Sequence, residues 1–119
     1  MRLRHLVRWA VACAVLLGAA VCVHAMSLRE LRSLDKASKQ GENYVRYYLV
    51  GAMEGVLEAQ AHAARAGGKP MICLNSRRLE PHMAQTLFDT ELKRNADLYE
   101  ADMQVTLVMF NALTTVYAC

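Results

Sequence analysis

The residues of this sequence that could do chemistry are few. After the first 25 residues there are two histidines, His62 and His82, and two cysteines, Cys73 and Cys119. A hydrolase needs a nucleophile next to a general base that a third group orients. Neither histidine stands in a recognisable catalytic motif, so the sequence predicts that the protein is not an enzyme and assigns it no catalytic residue.

Metal and cofactor chemistry is equally poorly supported. Glu58 and His62 lie one helical turn apart, as a pair of metal ligands can. Structural zinc takes four protein ligands, however, and this pair offers only two. The sequence also has no phosphate-binding loop and no dinucleotide fingerprint. We therefore predict no metal and no cofactor, and we interpret Glu58 and His62 as an ordinary surface pair.

The beginning of the chain differs from the rest. Three arginines lie within Met1–Arg8, an almost unbroken apolar run follows from Trp9 to Val23, and small residues precede the bond after Ala25. This order is typical of a secretory signal peptide, so we predict cleavage after Ala25 and a domain spanning residues 26–119. An uncleaved anchor is disfavoured because a membrane-spanning helix needs about 20 apolar residues. Lipidation of Cys22 is disfavoured because the preceding Val21 is bulky.

The charge balance changes once the leader is set aside. The formal net charge of +3 comes wholly from Arg2, Arg4 and Arg8, and the remaining chain is formally neutral. A neutral domain lacks the basic field that dominates affinity for nucleic acid, so DNA or RNA binding is excluded as a leading hypothesis. No second apolar span follows the leader, which predicts no membrane contact after cleavage.

The cysteines predict one disulfide. Cys13 and Cys22 would leave with the signal peptide, so Cys73 and Cys119 remain as an even pair in an oxidising compartment. A bond between Cys73 and Cys119 would close a loop of about 46 residues. In the chain-entropy model this stabilises the fold by on the order of 4 kcal/mol, because it restricts the unfolded chain. A reactive thiol or a metal pair is the alternative, but either would need low-pKa surroundings or further ligands.

Helical periodicity predicts an all-α fold: a small four-helix domain with one disulfide, preceded by the signal peptide. The first helix begins at a capping box, Ser27 to Glu30, runs from Leu28 to about Ser38 and is stopped by Lys39-Gln40-Gly41. No segment alternates for long enough to predict a strand. The other predicted helices run from about Asn43 to Arg65, from Leu79 or Glu80 to Arg94, and from Asn95 or Asp97 along a stripe of Leu98, Ala101, Val105, Val108, Met109, Ala112 and Val116.

The second predicted helix carries two glycines one turn apart. Tyr44, Tyr47, Tyr48, Gly51 and Gly55 fall on one helical face. Each glycine costs about 1 kcal/mol against alanine inside a helix, which close packing would offset. We interpret Tyr48, Gly51 and Gly55 as helix-packing residues that let the fourth helix or a second subunit approach. The alternative is a functional face that admits the backbone of a partner.

The loop from Ala66 to Arg78 is the predicted partner-binding segment. It contains glycines for flexibility and Cys73 as an anchor, and Lys69, Met71, Arg77 and Arg78 mix apolar and cationic groups in the manner of interface hot spots. An ordinary solvated face is the alternative interpretation of the Arg77-Arg78 pair.

The combined pattern is similar to a known family. The octapeptide Tyr48 to Gly55, YLVGAMEG, is followed by a loop with Cys73, a helix over Leu79–Leu92, and a segment from Ala101 to Leu113 that closes on Tyr117-Ala118-Cys119. This order resembles the Tai/Rap family of type VI secretion amidase immunity proteins and covers roughly residues 44–119. The sequence departs from the family at Ala118 and at Leu74-Asn75, where proline is usual, and in having no cysteine between Ser27 and Tyr44.

The resemblance implies a periplasmic immunity protein. Such proteins bind a peptidoglycan amidase toxin delivered by type VI secretion, occlude its active-site cleft with loops on a helical scaffold, and often form homodimers. The matching residues Gly51, Gly55, Cys73 and Cys119 belong to that scaffold, and no toxin-contacting residue carries over. Two alternatives stay open: an acid-activated periplasmic chaperone, and a small non-enzymatic envelope interaction protein.

Overall fold

The computed structural model describes residues 1–5, 7–9 and 24–119. Most of the apolar run on which the signal peptide prediction rests lies outside these residues, so the cleaved leader stays a prediction. Residues 2–5 and 7–9 are helical. From Met26 onward the chain forms α1 (Leu28–Ala37), α2 (Lys39–Arg65), α3 (Met83–Arg94), a short 3-10 helix (Ala96–Leu98) and α4 (Val105–Val116).

The prediction of an all-α protein with one disulfide is confirmed. The described ranges hold no extended strand, only two isolated antiparallel bridges that join Ser27 to Gln104 and Ile72 to Ala118. No helix in these ranges is both long enough and apolar enough to cross a membrane.

The core is a single cluster to which α1–α4 all contribute. Aliphatic side chains, one phenylalanine and one tyrosine fill it, and helical spacing places them on the inner face of each helix. The buried apolar residues are Leu28, Leu31, Val45, Leu49, Met53, Ala84, Leu87, Phe88, Val105, Val108, Met109, Ala112, Leu113 and Tyr117.

Helix α1 begins as the sequence predicts. The Ser27 hydroxyl accepts a hydrogen bond from the Glu30 backbone N–H at 3.2 Å, and the Ser27 backbone N–H donates to Glu30 Oε2 at 2.7 Å. This reciprocal pair is a capping box, and it satisfies backbone donors that the first helical turn leaves without partners. It also fixes the direction in which the chain enters α1, whose Leu28 and Leu31 are buried.

We expect Ser27→Ala to lower the free energy of unfolding by about 1 kcal/mol, the usual cost of losing an N-cap side chain. The backbone hydrogen bond from Ser27, and then the one from its hydroxyl, lower the pKa of Glu30. Because the folded-state pKa lies below the unfolded-state value, the contribution of the carboxylate is complete above the unfolded pKa and fades as the pH falls through the folded one. The stability gap between wild type and Ser27→Ala therefore narrows in acid.

Thermal and urea unfolding followed by circular dichroism at neutral and acidic pH measure this effect. Ser33→Ala is the matched control, since Ser33 is exposed on the same helix. Equal stabilities of Ser27→Ala and Ser33→Ala at neutral pH would contradict the assigned role of the capping box.

The end of α1 at Ala37 agrees with the prediction to within one residue, but the predicted start of the second helix near Asn43 is wrong by about four residues. Ser38 is extended, with φ −170° and ψ 167°, and α2 starts immediately after it at Lys39. Ser38 acts as an N-cap, because its hydroxyl accepts from the Gly41 backbone N–H at 3.0 Å. A Cβ at Gly41 would overlap the Leu34 carbonyl oxygen, so this glycine allows α1 and α2 to approach closely.

The last two helices also begin later than predicted. Helix α3 starts at Met83, after a turn that contains Pro81, and α4 starts at Val105 and not at Asn95 or Asp97. The delay of α4 has a tertiary cause. Backbone N–H groups of Leu28 and Arg29 donate to the carbonyls of Met103 and Ala101 at 2.9 Å each. Pairing with the start of α1 therefore holds this segment in a turn outside the helix.

Because α4 starts later than predicted, the residues that face the core differ from those of the predicted stripe. Leu98 and Val116, which the predicted stripe places inward, are 65% and 44% exposed. Leu113 and Tyr117, which the stripe omits, are buried at 0% and 6% exposure. The pattern for Val105, Val108, Met109 and Ala112 is confirmed, since all of them are buried.

Candidate functional site

The loop over residues 66–78, which we call the stapled loop, is fastened to the segment after α4. Cys73 and Cys119 form a disulfide across 46 positions of sequence, with their Cα atoms 4.8 Å apart, which confirms the predicted pairing. The Cys73 backbone N–H donates to the Tyr117 carbonyl at 2.8 Å. Ile72 also forms the isolated bridge with Ala118. Covalent and backbone contacts thus hold the middle of an otherwise exposed loop.

The tip of the stapled loop has an uncommon backbone. Asn75 and Ser76 have positive φ values of 52° and 68°. Asparagine tolerates the left-handed region, whereas serine rarely adopts it. The Arg77 backbone N–H closes the turn on the Leu74 carbonyl at 3.0 Å. Such conformations persist where the surroundings hold them in place, and they cluster at binding and active sites.

The four residues predicted to bind a partner all lie on this loop, but they are not equivalent. Lys69, Met71 and Arg78 are exposed, and Met71 has 52% of its surface accessible. In the described part of the chain, neither cation forms an ion pair. These three side chains are therefore available to a partner.

Arg77 is used within the protein. Its Nε donates to the Leu74 carbonyl at 2.8 Å, and its guanidinium carbon lies 4.7 Å from the centre of the Tyr117 ring. This stacking is a cation–π contact, and it ties the loop tip to the end of α4. Among the predicted contact residues, Arg77 is thus the one that positions the loop.

The glycine face of α2 does not pack as the sequence interpretation requires. Gly51 and Gly55 are exposed, and a Cβ added to either would have no atom within 4 Å. Close packing of these glycines against the fourth helix is therefore wrong. The buried positions of α2 are Gly41, Val45, Leu49 and Met53. Aliphatic side chains bury more apolar surface than glycine or a tyrosine hydroxyl can, so the adjacent face turns inward.

Tyr48 lies between the two faces. It is half-buried against the core, and its hydroxyl accepts a hydrogen bond from the Met26 backbone N–H at 3.3 Å. The packing role predicted for Tyr48 therefore has a contact to support it. Tyr44 and Tyr47 are 56% and 75% exposed. The approach of a second subunit to this face stays a prediction.

The open space around Gly51 and Gly55 means that a side chain added at either position should not disturb the packing of the helices. We expect Gly51→Ala and Gly55→Ala each to raise the free energy of unfolding by up to about 1 kcal/mol, because alanine favours the helix and meets no obstacle. Gly41→Ala is the matched control on the same helix and should destabilise the fold, since its Cβ would meet the Leu34 carbonyl. Urea unfolding at a concentration that keeps the protein monomeric measures all three. A loss of stability in both outer variants would contradict the solvent-facing assignment.

A buried carboxylate is the feature that sequence reasoning missed. Glu91 is only 3% exposed, and its Oε1 accepts hydrogen bonds from the Tyr99 hydroxyl at 2.6 Å and from Asn95 Nδ2 at 2.8 Å. Asn111 Nδ2 donates to the same hydroxyl at 3.0 Å. Burial, followed by the hydrogen bond to Glu91, raises the pKa of Tyr99. The available signal was Glu91 itself, a single acid on the apolar face of α3.

This network joins α3, the 3-10 helix and α4, and its chemistry is structural. Glu91 Oε2 is buried without a protein hydrogen-bond partner. The hydrogen bonds of the network fix the orientation of the segment that leads into α4.

The weak metal hypothesis has no geometric support in the described ranges. Glu58 forms an ion pair with Arg65 at 2.7 Å and not a ligand pair with His62. No group of three or more histidine, cysteine or acidic side chains is placed to hold a metal ion there.

Comparison of the chain with protein-family models, with curated proteins and with solved structures finds no match. The class of protein that the structure defines is therefore a small helical protein with a disulfide-anchored loop. Its resemblance to amidase immunity proteins stays a hypothesis based on the sequence motifs.

Proposed function

We propose that this protein is a periplasmic immunity protein, which binds a peptidoglycan amidase toxin delivered by type VI secretion and occludes its active site. The observation that carries the proposal is the stapled loop. The loop presents Lys69, Met71 and Arg78 to solvent, while the Cys73–Cys119 disulfide holds it from behind. An inhibitor that acts by occlusion needs such a surface and needs no catalytic group of its own.

The proposal includes the finer features of the sequence prediction. Residues 1–25 are a signal peptide removed on export, and residues 26–119 are a four-helix, immunity-like domain in the periplasm. The disulfide fits this compartment, because disulfides persist in oxidising surroundings. The protein is not an enzyme and binds neither nucleic acid nor, after cleavage, a membrane. A homodimer would use the exposed face of α2 that carries Tyr47, Gly51 and Gly55.

A preformed loop favours inhibition for an energetic reason. Ordering a flexible loop on binding costs roughly 0.5 to 1.5 kcal/mol for each immobilised side chain, in addition to the backbone cost. The disulfide, the Arg77–Tyr117 contact and the backbone bond from Cys73 to Tyr117 meet much of this cost during folding. Met71 supplies apolar area, and Lys69 and Arg78 supply positive charge on the same loop, a mixture of apolar and cationic groups that interfaces use.

The test begins with the gene neighbourhood: a candidate exported amidase encoded beside this protein is co-purified with it, and peptidoglycan hydrolysis is measured. We expect a stable inhibitory complex. Met71→Ala and Arg78→Ala should each weaken it by about 5- to 30-fold, which corresponds to about 1 to 2 kcal/mol for hot-spot side chains. Their melting temperatures should stay close to that of wild type, because both side chains are exposed.

Arg46→Ala is the matched control, since Arg46 is an exposed arginine on α2, outside the stapled loop. Inhibition unchanged in all three variants would remove the loop from the proposal, and a failure of the wild type to inhibit would remove the immunity function. Reversible opening with dye binding at about pH 2 to 3 would point to the chaperone alternative.

A further inference from the structure

The stapled loop and α2 enclose an open groove of about 400 Å³. Leu57 of α2 and Pro70, Ile72 and Leu74 of the loop give it an apolar lining, and Glu54 and Glu58 are its acidic lining residues. Leu57, Ile72 and Leu74 are only half-buried, so they keep apolar surface open to solvent. We call this feature the α2–loop groove.

The α2–loop groove is built by contacts that do not depend on a partner. The Met71 backbone N–H donates to Gln60 Oε1 at 3.4 Å, which holds the loop against α2. Ile72 is held from the other side by its bridge to Ala118, and the neighbouring Cys73 by the disulfide. Pockets that receive ligand groups usually measure roughly 300 to 1,000 Å³ and exist before binding, so this one has room for apolar side chains.

The two acidic residues that line the groove differ in whether their charge is balanced by a cation. Glu58 is neutralised by its 2.7 Å ion pair with Arg65. Glu54, one turn earlier on α2, makes neither an ion pair nor a side-chain hydrogen bond in the part of the chain that the structure describes. The apolar lining of the groove suits an apolar side chain of a partner. The carboxylate of Glu54, unpaired in the described part of the chain, suits a cationic side chain next to it.

We propose that the α2–loop groove binds a protein segment in which a large aliphatic residue is followed by arginine or lysine. The aliphatic side chain lies against Leu57, Ile72 and Leu74, and the cation lies near Glu54. This inference rests on the proposed function in one respect, since it names the chemistry that the inhibitor recognises on its partner protein. The groove itself can be tested without any amidase.

The probe is the peptide acetyl-Ala-Leu-Arg-Ala-amide, titrated into the isotopically labelled, exported protein and followed by amide NMR. Acetyl-Ala-Leu-Glu-Ala-amide is the matched peptide. We expect the shifts to centre on Leu57, Ile72 and Leu74, with the arginine peptide bound about two- to fivefold more tightly, the value of one exposed ion pair. Glu54→Gln should bring this ratio close to one, whereas Glu100→Gln, at an exposed acid outside the groove, should leave it unchanged.

Equal affinities for the two peptides, or shifts that centre on another surface, would overturn the inference. Groove shifts that appear on concentrating the protein alone would also overturn it, because a second copy would then be the occupant. Selective peptide binding together with a failure to inhibit the amidase would leave the groove standing and remove the proposed function. Inhibition of the amidase without peptide selectivity would overturn the groove inference and leave the proposed function standing.

Discussion

Replacing Cys73 and Cys119 together by serine is expected to lower the free energy of unfolding by about 4 kcal/mol, the loop-closure value for a cross-link of this span. The disulfide joins positions separated by 46 residues, so breaking it frees a large part of the unfolded chain. Small domains have a total stability of only about 5 to 15 kcal/mol, which makes this loss severe.

If the protein is the inhibitor that we propose, the same double variant should lose inhibition before it loses its helices. The buried core is supplied by α1–α4 and Tyr117, and neither cysteine belongs to it. Without the bridge, the stapled loop keeps its hydrogen bonds, the Arg77–Tyr117 contact and the partial packing of Ile72 and Leu74 against the core. At low temperature, the variant should therefore keep the helical circular dichroism signal of the wild type. The amide hydrogens of its stapled loop should exchange faster than those of the wild type.

Urea unfolding of the double serine variant, compared with wild type in the presence and absence of a reductant, measures the effect. Reduced wild type should unfold at nearly the midpoint of the variant, which separates loss of the cross-link from the substitution itself. Equal midpoints for oxidised wild type and the variant would show that the disulfide contributes nothing to stability.

Leu113→Ala is expected to lower the free energy of unfolding by about 2 to 5 kcal/mol, the range for leucine truncation in a close-packed core. Leu113 has 0% exposure and belongs to the buried core cluster together with Val108, Met109 and Phe88. Truncation removes apolar contacts and leaves a cavity that the surrounding helices fill only in part.

Val116→Ala is the matched control because Val116 lies on the same helix with 44% of its surface exposed. Its cost should stay within about 0.5 kcal/mol, as is usual for surface substitutions. Urea or thermal unfolding of the two variants decides between two registers of α4. The periodic stripe in the sequence places Val116 inward and omits Leu113, so a larger effect at Val116 would favour that stripe over the structure.

Several local features could be predicted because their causes lie within a few residues or in simple arithmetic. The Ser27–Glu30 capping box depends on side chains three positions apart, and it forms as expected. The disulfide could be predicted from the two cysteines outside the proposed leader and from the oxidising compartment that such a leader would imply, and the pairing of Cys73 with Cys119 is confirmed. The end of α2 at Arg65 follows from the glycines after it.

The predicted site could be located but not resolved into roles. Lys69, Met71, Arg77 and Arg78 share one exposed loop, as their spacing indicates. Only the fold places the Tyr117 ring beneath Arg77 and so turns a candidate contact residue into a positioning one. The α2–loop groove likewise needs α2 and the loop to be side by side, which no local pattern specifies.

The sequence by itself thus determined the helical class, the first cap and the cross-link, since each depends on local propensity or on residue type. The tertiary structure decided the faces and the starting points of the helices. Backbone pairing of Leu28 and Arg29 with Ala101 and Met103 delays α4, and competition for burial turns Leu49 and Met53 inward and leaves Gly51 and Gly55 in solvent. Each of these outcomes depends on the free energy of contacts between segments that are distant in sequence. A residue pattern within one segment carries no information about those contacts.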